Sequence, residues 1–226
     1  MISSCQQLEQ AALDYGLLPF FSNNIPGFSV EEMTAPGMLF GDNSGDDGCW
    51  EWKGPVIREM TTAYGKFFRR KAGFVSLDLY PHFINYRRHA YPLEPGSIEA
   101  TLLSIISDRE SATSAELREM IFGKPSRKKA LDKGGMKLPG RQALEAPLQR
   151  LQMGGRLLIA DFMYKYTVLG ERYGWGVALY TTPELWFGKD IARIDCAPDQ
   201  SLKILTDHLA SRLPGATEAQ IIKLLS

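Results

Sequence analysis

Cysteine is scarce in this chain of 226 residues: Cys5, Cys49 and Cys196 are far apart and odd in number. That excludes a disulfide scaffold and a cysteine-based zinc site. Histidine is equally sparse. His82 and His89 lie seven apart with no cysteine or carboxylate cluster beside them, and His208 stands alone, so no metal site is expected. No apolar run approaches the roughly 18 residues that a membrane span needs. The start, MISSCQQLEQ, lacks a basic segment followed by an apolar one, so no secretory signal is expected and the default is a soluble cytoplasmic protein. A phosphate-binding loop, a dinucleotide glycine fingerprint and a Gly-x-Ser-x-Gly elbow are also missing. No cofactor is implied. The acidic loop Gly41–Gly48 invites a calcium reading and fails it. Counting Asp42 as the first position, the sixth is Asp47 where glycine is needed and the twelfth is Lys53 where glutamate is needed.

Net charge is missing too, with 26 Lys and Arg against 26 Asp and Glu, but the zero hides a gradient. Residues 1–50 hold seven acids and no Lys or Arg; residues 101–150 hold ten bases and six acids. The densest basic stretch carries Lys124, Arg127, Lys128, Lys129, Lys133, Lys137 and Arg141 against the single acid Asp132. Such a run is either a solvated loop or a footprint for an anionic partner. With hydrophobics at 44% and charged residues at 23%, the chain has the composition of a globular protein able to bury a core.

The element pattern predicts an α+β protein. A helix over 3–15 opens on a serine cap and stops at Gly16, and a short helix follows Ser29. Residues 50–88 are an aromatic block. In it, Thr62–Phe68 and Ala72–Ser76 read as a hairpin tipped by Arg69, Arg70 and Lys71, and Ser76 as the cap of a helix reaching Tyr86. Two prolines and a glycine over 90–97 mark a boundary. Ser97 then caps a helix with Ile98, Leu102, Ile105 and Ile106 inward. Thr113 to Glu116 is a capping box opening a second helix, with Leu117, Met120 and Ile121 inward. A third helix over 141–153 turns Leu144, Leu148 and Leu151 inward, although Pro147 demands either a bend or a start near Glu145. Arg156–Tyr164 and Tyr173–Thr181 then form a hairpin, Thr182 caps another turn of helix, and two further helices run over 198–213 and from Thr217.

Three helices followed by a two-stranded wing is the order of a winged helix-turn-helix. The expected divisions are an aromatic-rich α+β domain over 1–92, a smaller partner to the winged-helix domain over 97–192, and a C-terminal helical extension over 193–226. In such a module the third helix enters the major groove and the wing touches the backbone. The outward stripe of this helix is Gln142, Glu145, Gln149 and Gln152; glutamine pairs with adenine and glutamate accepts from cytosine. The basic run, with Lys165 and Arg172 flanking the wing, supplies phosphate contacts, so the expected partner is duplex DNA, without membrane or metal. Trp50, Trp52, Tyr64 and Trp175, with Lys53 and Lys66 adjacent, are candidates for a pocket that stacks on bases, or else they are domain core.

Four stretches carry a family resemblance: Trp50-Glu51-Trp52-Lys53-Gly54-Pro55, Ala63-Tyr64-Gly65-Lys66-Phe67-Phe68, Arg150-Leu151-Gln152-Met153, and Tyr173-Gly174-Trp175-Gly176-Val177-Ala178. In them the chain resembles a distant branch of the winged-helix proteins related to the AlkZ/YcaQ-type DNA glycosylases. The resemblance implies tandem winged-helix elements, a positively charged channel for duplex DNA, and hydrolysis of the N-glycosidic bond of alkylated or crosslinked bases. It also implies two polar side chains, Gln-x-Gln or Gln-x-Asp, on a strand to hold the attacking water. Here the nearest match is Ile159-Ala160-Asp161: Asp161 matches the second member and Ile159 replaces the first. Alternation along this strand puts Asp161 on one face with Leu157, Ile159 and Met163, a half-buried setting. Asp161 is thus either a general base or a structural acid held by hydrogen-bond donors. Three readings follow. The first is a DNA-binding protein related to base-repair glycosylases without their full catalytic pair, the second an active glycosylase, and the third a protein-interaction module whose winged helix is occluded.

Overall fold

A computed structural model describes residues 1–41, 48–123, 139–170 and 172–226, with the side chains of 139–143 left aside. Local signals set most of the elements. Helix α1 (Cys5–Tyr15) opens where the Ser4 hydroxyl accepts from the Gln7 N–H and ends where the Gly16 N–H donates to Ala12. Gly16 has φ +69°, and a Cβ there would lie 2.5 Å from the Leu79 side chain, so only glycine suits this stop. Strand β1 (Leu17–Pro19), the short helix α2 (Val30–Met33) and helix α3 (Cys49–Arg58) follow. Next come β2 (Thr62–Phe68) and β3 (Lys71–Ser76), joined by the two residues Arg69 and Arg70. Both arginines have positive φ, 49° and 68°, which is what a tight two-residue hairpin turn imposes. The three strands make an antiparallel sheet in the order β1-β3-β2.

Ser76 does not start the next helix. It stays in β3, and α4 (Tyr80–Ala90) begins after Leu79 with no side-chain cap and with Pro81 in its first turn. A proline there costs no hydrogen bond and pre-sets φ, so it displaces the serine as the start signal. After the Pro-rich turn come α5 (Ile98–Arg109), capped by Ser97, β4 (Ala112–Thr113) and α6 (Ser114–Phe122). In the capping box, Thr113 Oγ1 accepts from the Glu116 N–H and Glu116 Oε2 accepts from the Thr113 N–H at 2.8 Å. Leu117 is buried as expected, but Met120 is 46% exposed. Helix α7 (Pro139–Met153) runs through Pro147. Burial of Leu144, Leu148 and Leu151 against Leu102, Ile106 and Leu117 holds it together despite the missing N–H.

Strands β5 (Leu158–Tyr166) and β6 (Arg172–Thr181) form the hairpin, and β4 joins it to give a second antiparallel sheet in the order β4-β6-β5. The short α8 (Pro183–Phe187), α9 (Pro198–Arg212) and α10 (Glu218–Leu225) complete the chain. The cores are two. The smaller belongs to α5, α6 and α7. The larger joins Leu8, Phe20, Tyr64, Phe74 and Phe83 to Leu158 and Ile159 of the hairpin and to Leu205, Leu209, Ile221 and Leu224 of the last helices. The C-terminal segment therefore packs into the same core as the N-terminal aromatic block. No helix among the described residues is long and apolar enough to cross a membrane.

Candidate nucleic-acid interface and carboxylate site

The hairpin is fastened to α3 by polar side chains. Glu51 accepts from the Tyr164 hydroxyl at 2.8 Å and pairs with Arg172 Nη2 at 2.6 Å. The Arg172 guanidinium lies 3.8 Å over the Tyr164 ring. Burial first, and then the bond to Glu51, raise the Tyr164 pKa, so the hydroxyl stays a donor. One turn on, Arg58 Nη1 pairs with Asp161 Oδ1 at 2.8 Å. These groups line an open cavity of about 360 Å³ between α3 and the hairpin.

Asp161 is 37% exposed. Besides Arg58, its Oδ1 accepts from the N–H of Phe162 at 2.8 Å. The strand pairing shifts between Ile159, opposite Tyr180, and Asp161, opposite Leu179. That bulge interrupts the simple alternation of faces, so Asp161 does not share the buried surroundings of Ile159.

Lys53 is the least expected of these side chains. It is 2% exposed, its Nζ donates to the Trp50 carbonyl oxygen, and it sits 3.9 Å from the centre of the Trp50 ring and 4.3 Å from that of Phe162. Burial pushes its pKa down to about 8.

The expected aromatic pocket comes together only in part. Trp50 and Trp175 meet edge-to-face at 5.9 Å and Phe40 joins both. Trp175 is 69% exposed, so this corner faces solvent. Tyr64 instead lies in the closed core against Phe74 and Phe162, and Trp52 packs against the same core. Lys66 faces a different cleft, the one between β2, α6 and α7.

That second cleft, about 230 Å³, is lined by Lys66, Arg118, Glu145, Gln149, Gln152 and Tyr180 among others. Gln152, expected on the outward stripe, is 1% exposed. Its Oε1 accepts from the Lys66 N–H at 2.9 Å and its Nε2 donates to the Leu148 carbonyl at 3.0 Å. It is buried because α7 packs its C-terminal half on β2. Gln149 is half-buried and Glu145 exposed. Lys165 is exposed on the hairpin, whereas Arg172 is engaged by Glu51. Lys124, Arg127, Lys128, Lys129, Lys133 and Lys137 lie outside the described residues, as do the side chains of Arg141 and Gln142. No group of three or more His, Cys, Asp or Glu able to hold a metal occurs among the described residues.

Sequence reasoning had passed over Glu51, Arg58, Arg118 and Tyr164. The only available signal was the pairing of an acidic and a basic residue one turn or two apart on 51–58, which any exposed helix can show.

A family model described as AlkZ related matches residues 2–226. The chain belongs to the AlkZ-related family. Among solved structures, this AlkZ-related chain is similar to the Streptomyces sahachiroi DNA glycosylase AlkZ, with a TM-score of 0.46 and 12% identity over 89% of this chain and 50% of that one. It spans about half the length of that structure. No curated protein matches it.

Proposed function

We propose that this AlkZ-related chain contacts duplex DNA through a winged helix and lacks the paired side chains that would hold an attacking water. The winged-helix reading is supported by the order α5, β4, α6, α7, β5, β6, in which the short strand between the first two helices adds to the hairpin sheet. DNA contact is supported by family membership and by the basic run ahead of the third helix. The observation that carries the missing catalysis is the state of Asp161. Its carboxylate is held by Arg58 and by the next backbone N–H, and the neighbour two residues before it is a buried isoleucine. A general base needs its lone pair directed at a water and a partner to orient that water.

The experiment is a fluorescence-anisotropy titration of a labelled duplex at two salt concentrations, with a parallel assay of an alkylated-purine duplex. If all seven basic residues of the run touch phosphates, log affinity falls against log salt with a slope of about −6. Binding is expected to be weak and indifferent to sequence, and Lys128, Lys129 and Lys133 changed together to Ala are expected to weaken it alike on all sequences. No base release is expected. Release that is lost in Asp161→Asn would establish the active-glycosylase reading instead.

The burial of Gln152 and the half-burial of Gln149 favour a second reading, an interaction module whose third helix is covered by the N-terminal block. Absence of any DNA binding at low salt selects it.

A further inference from the structure

The cleft between α6, α7 and β2 is smaller than the roughly 300–1,000 Å³ typical of small-molecule pockets. At about 230 Å³ it has room for one planar ring system and none for a base pair. Its wall is polar and its charges are of both signs. Lys66 enters from β2, Arg118 from α6, and Glu145 from α7. None of the three makes an ion pair with another described residue. The Arg118 Nε is enclosed and has no hydrogen-bond partner, an arrangement that costs free energy unless a ligand supplies the acceptor. Gln152 closes the floor: both ends of its carboxamide are already bonded to protein. The Tyr180 hydroxyl faces the same space, and Glu145 is the charge that acts on it.

We infer that this cleft receives one unpaired guanine base, swung out of a DNA stack. The inference rests on the DNA-contact reading above and specifies what that contact selects. Guanine presents two adjacent donors, N1–H and the N2 amino group, and on the neighbouring edge two acceptors, O6 and N7. A carboxylate such as Glu145 accepts from the donor pair, while Lys66 and Arg118 donate to O6 and N7. Adenine turns its N1 lone pair toward the carboxylate, and cytosine offers one amino group flanked by acceptors, so each leaves a buried charge unpaired. An unpaired base is required because a stacked base pair cannot enter the cleft, and extrusion is cheapest at a bulge or mismatch.

The test uses the full chain and four labelled duplexes that differ only in a single bulged dG, dA, dC or dT, with the fully paired duplex as reference. A preference of about tenfold or more for bulged dG over bulged dA is expected, the discrimination of one bidentate contact. Glu145→Gln removes the charged acceptor at an exposed position, and Lys66→Ala removes a donor without touching the Lys66 N–H that holds Gln152. Each is expected to erase most of that preference while leaving affinity for the paired duplex within about twofold, the size of a surface change of a few tenths of a kcal/mol. Equal binding of all four bulges beside normal binding of the paired duplex overturns the guanine cleft and leaves the DNA reading standing. So does a dG preference that survives both substitutions. Failure to bind any of the five duplexes overturns both.

Discussion

Replacing Lys53 by Met separates the cost of a buried charge from its contacts. Its pKa is lowered from 10.5 to about 8, chiefly by burial. Between those two values the unfolded chain holds a proton that the folded chain has lost, so Lys53 makes stability rise with pH across that window. Below it the ammonium is charged in both states, and the folded protein carries the whole penalty, about 3 kcal/mol at 1.36 kcal/mol for each pH unit. The rings of Trp50 and Phe162 return part of this, at about 0.5–2 kcal/mol for a desolvated cation–π contact. Lys53→Met fills the same slot with an apolar chain. It is expected to be about 1–3 kcal/mol more stable than the parent at pH 7, which for this length raises Tm by about 3–9 °C. The gain should shrink toward zero as pH approaches 10. Cys5 and Cys49, whose thiols are raised by burial, act in the opposite sense because the unfolded thiols ionise first. The quantity to read is therefore the difference between the two proteins in calorimetric scans from pH 7 to 10. A constant difference, or a variant less stable than the parent throughout, would refute the reasoning.

Gln152→Ala leaves the Lys66 N–H without its acceptor in a dry interface and should cost about 1–3 kcal/mol in urea unfolding. Thr113→Ala breaks the capping box and is expected to cost about 1 kcal/mol. The bonds from Thr113 hold Glu116 below the usual carboxylate range, so the stabilisation is present above the unfolded pKa and lost as pH falls through the lowered one; a comparison of melts at pH 7 and pH 3 reads this. Asp161→Asn breaks an ion pair whose partners are 37% and 51% exposed, so a stability change under about 1 kcal/mol is expected by thermal melting. Changing Arg69-Arg70 to Asn-Gly relieves two residues with positive φ and should raise stability by about 1 kcal/mol or more.

The sequence by itself determined those elements whose signals lie within a few residues of one another. The caps at Ser97, Thr113, Thr182 and Thr217 each satisfy an N–H three residues on, and all four helices begin there. The two hairpins follow from alternation and a turn, which are equally local. The order of helices, strand and wing was legible for that reason, and with it the stretches that carry the family resemblance. Tertiary structure decided the rest, because burial depends on which surface a distant segment covers. Helix α3 forms despite Pro55 because Cys49, Val56 and Ile57 reach the large core. Gln152 reads as one more exposed glutamine until β2 arrives with an N–H to be satisfied. The setting of Asp161 turned on a single extra residue in the strand, and the burial of Lys53 on where Phe162 of the hairpin comes to lie. A bulge and a ring from more than a hundred residues away leave no periodic trace near either site, so the chemistry of both had to be read from the folded chain.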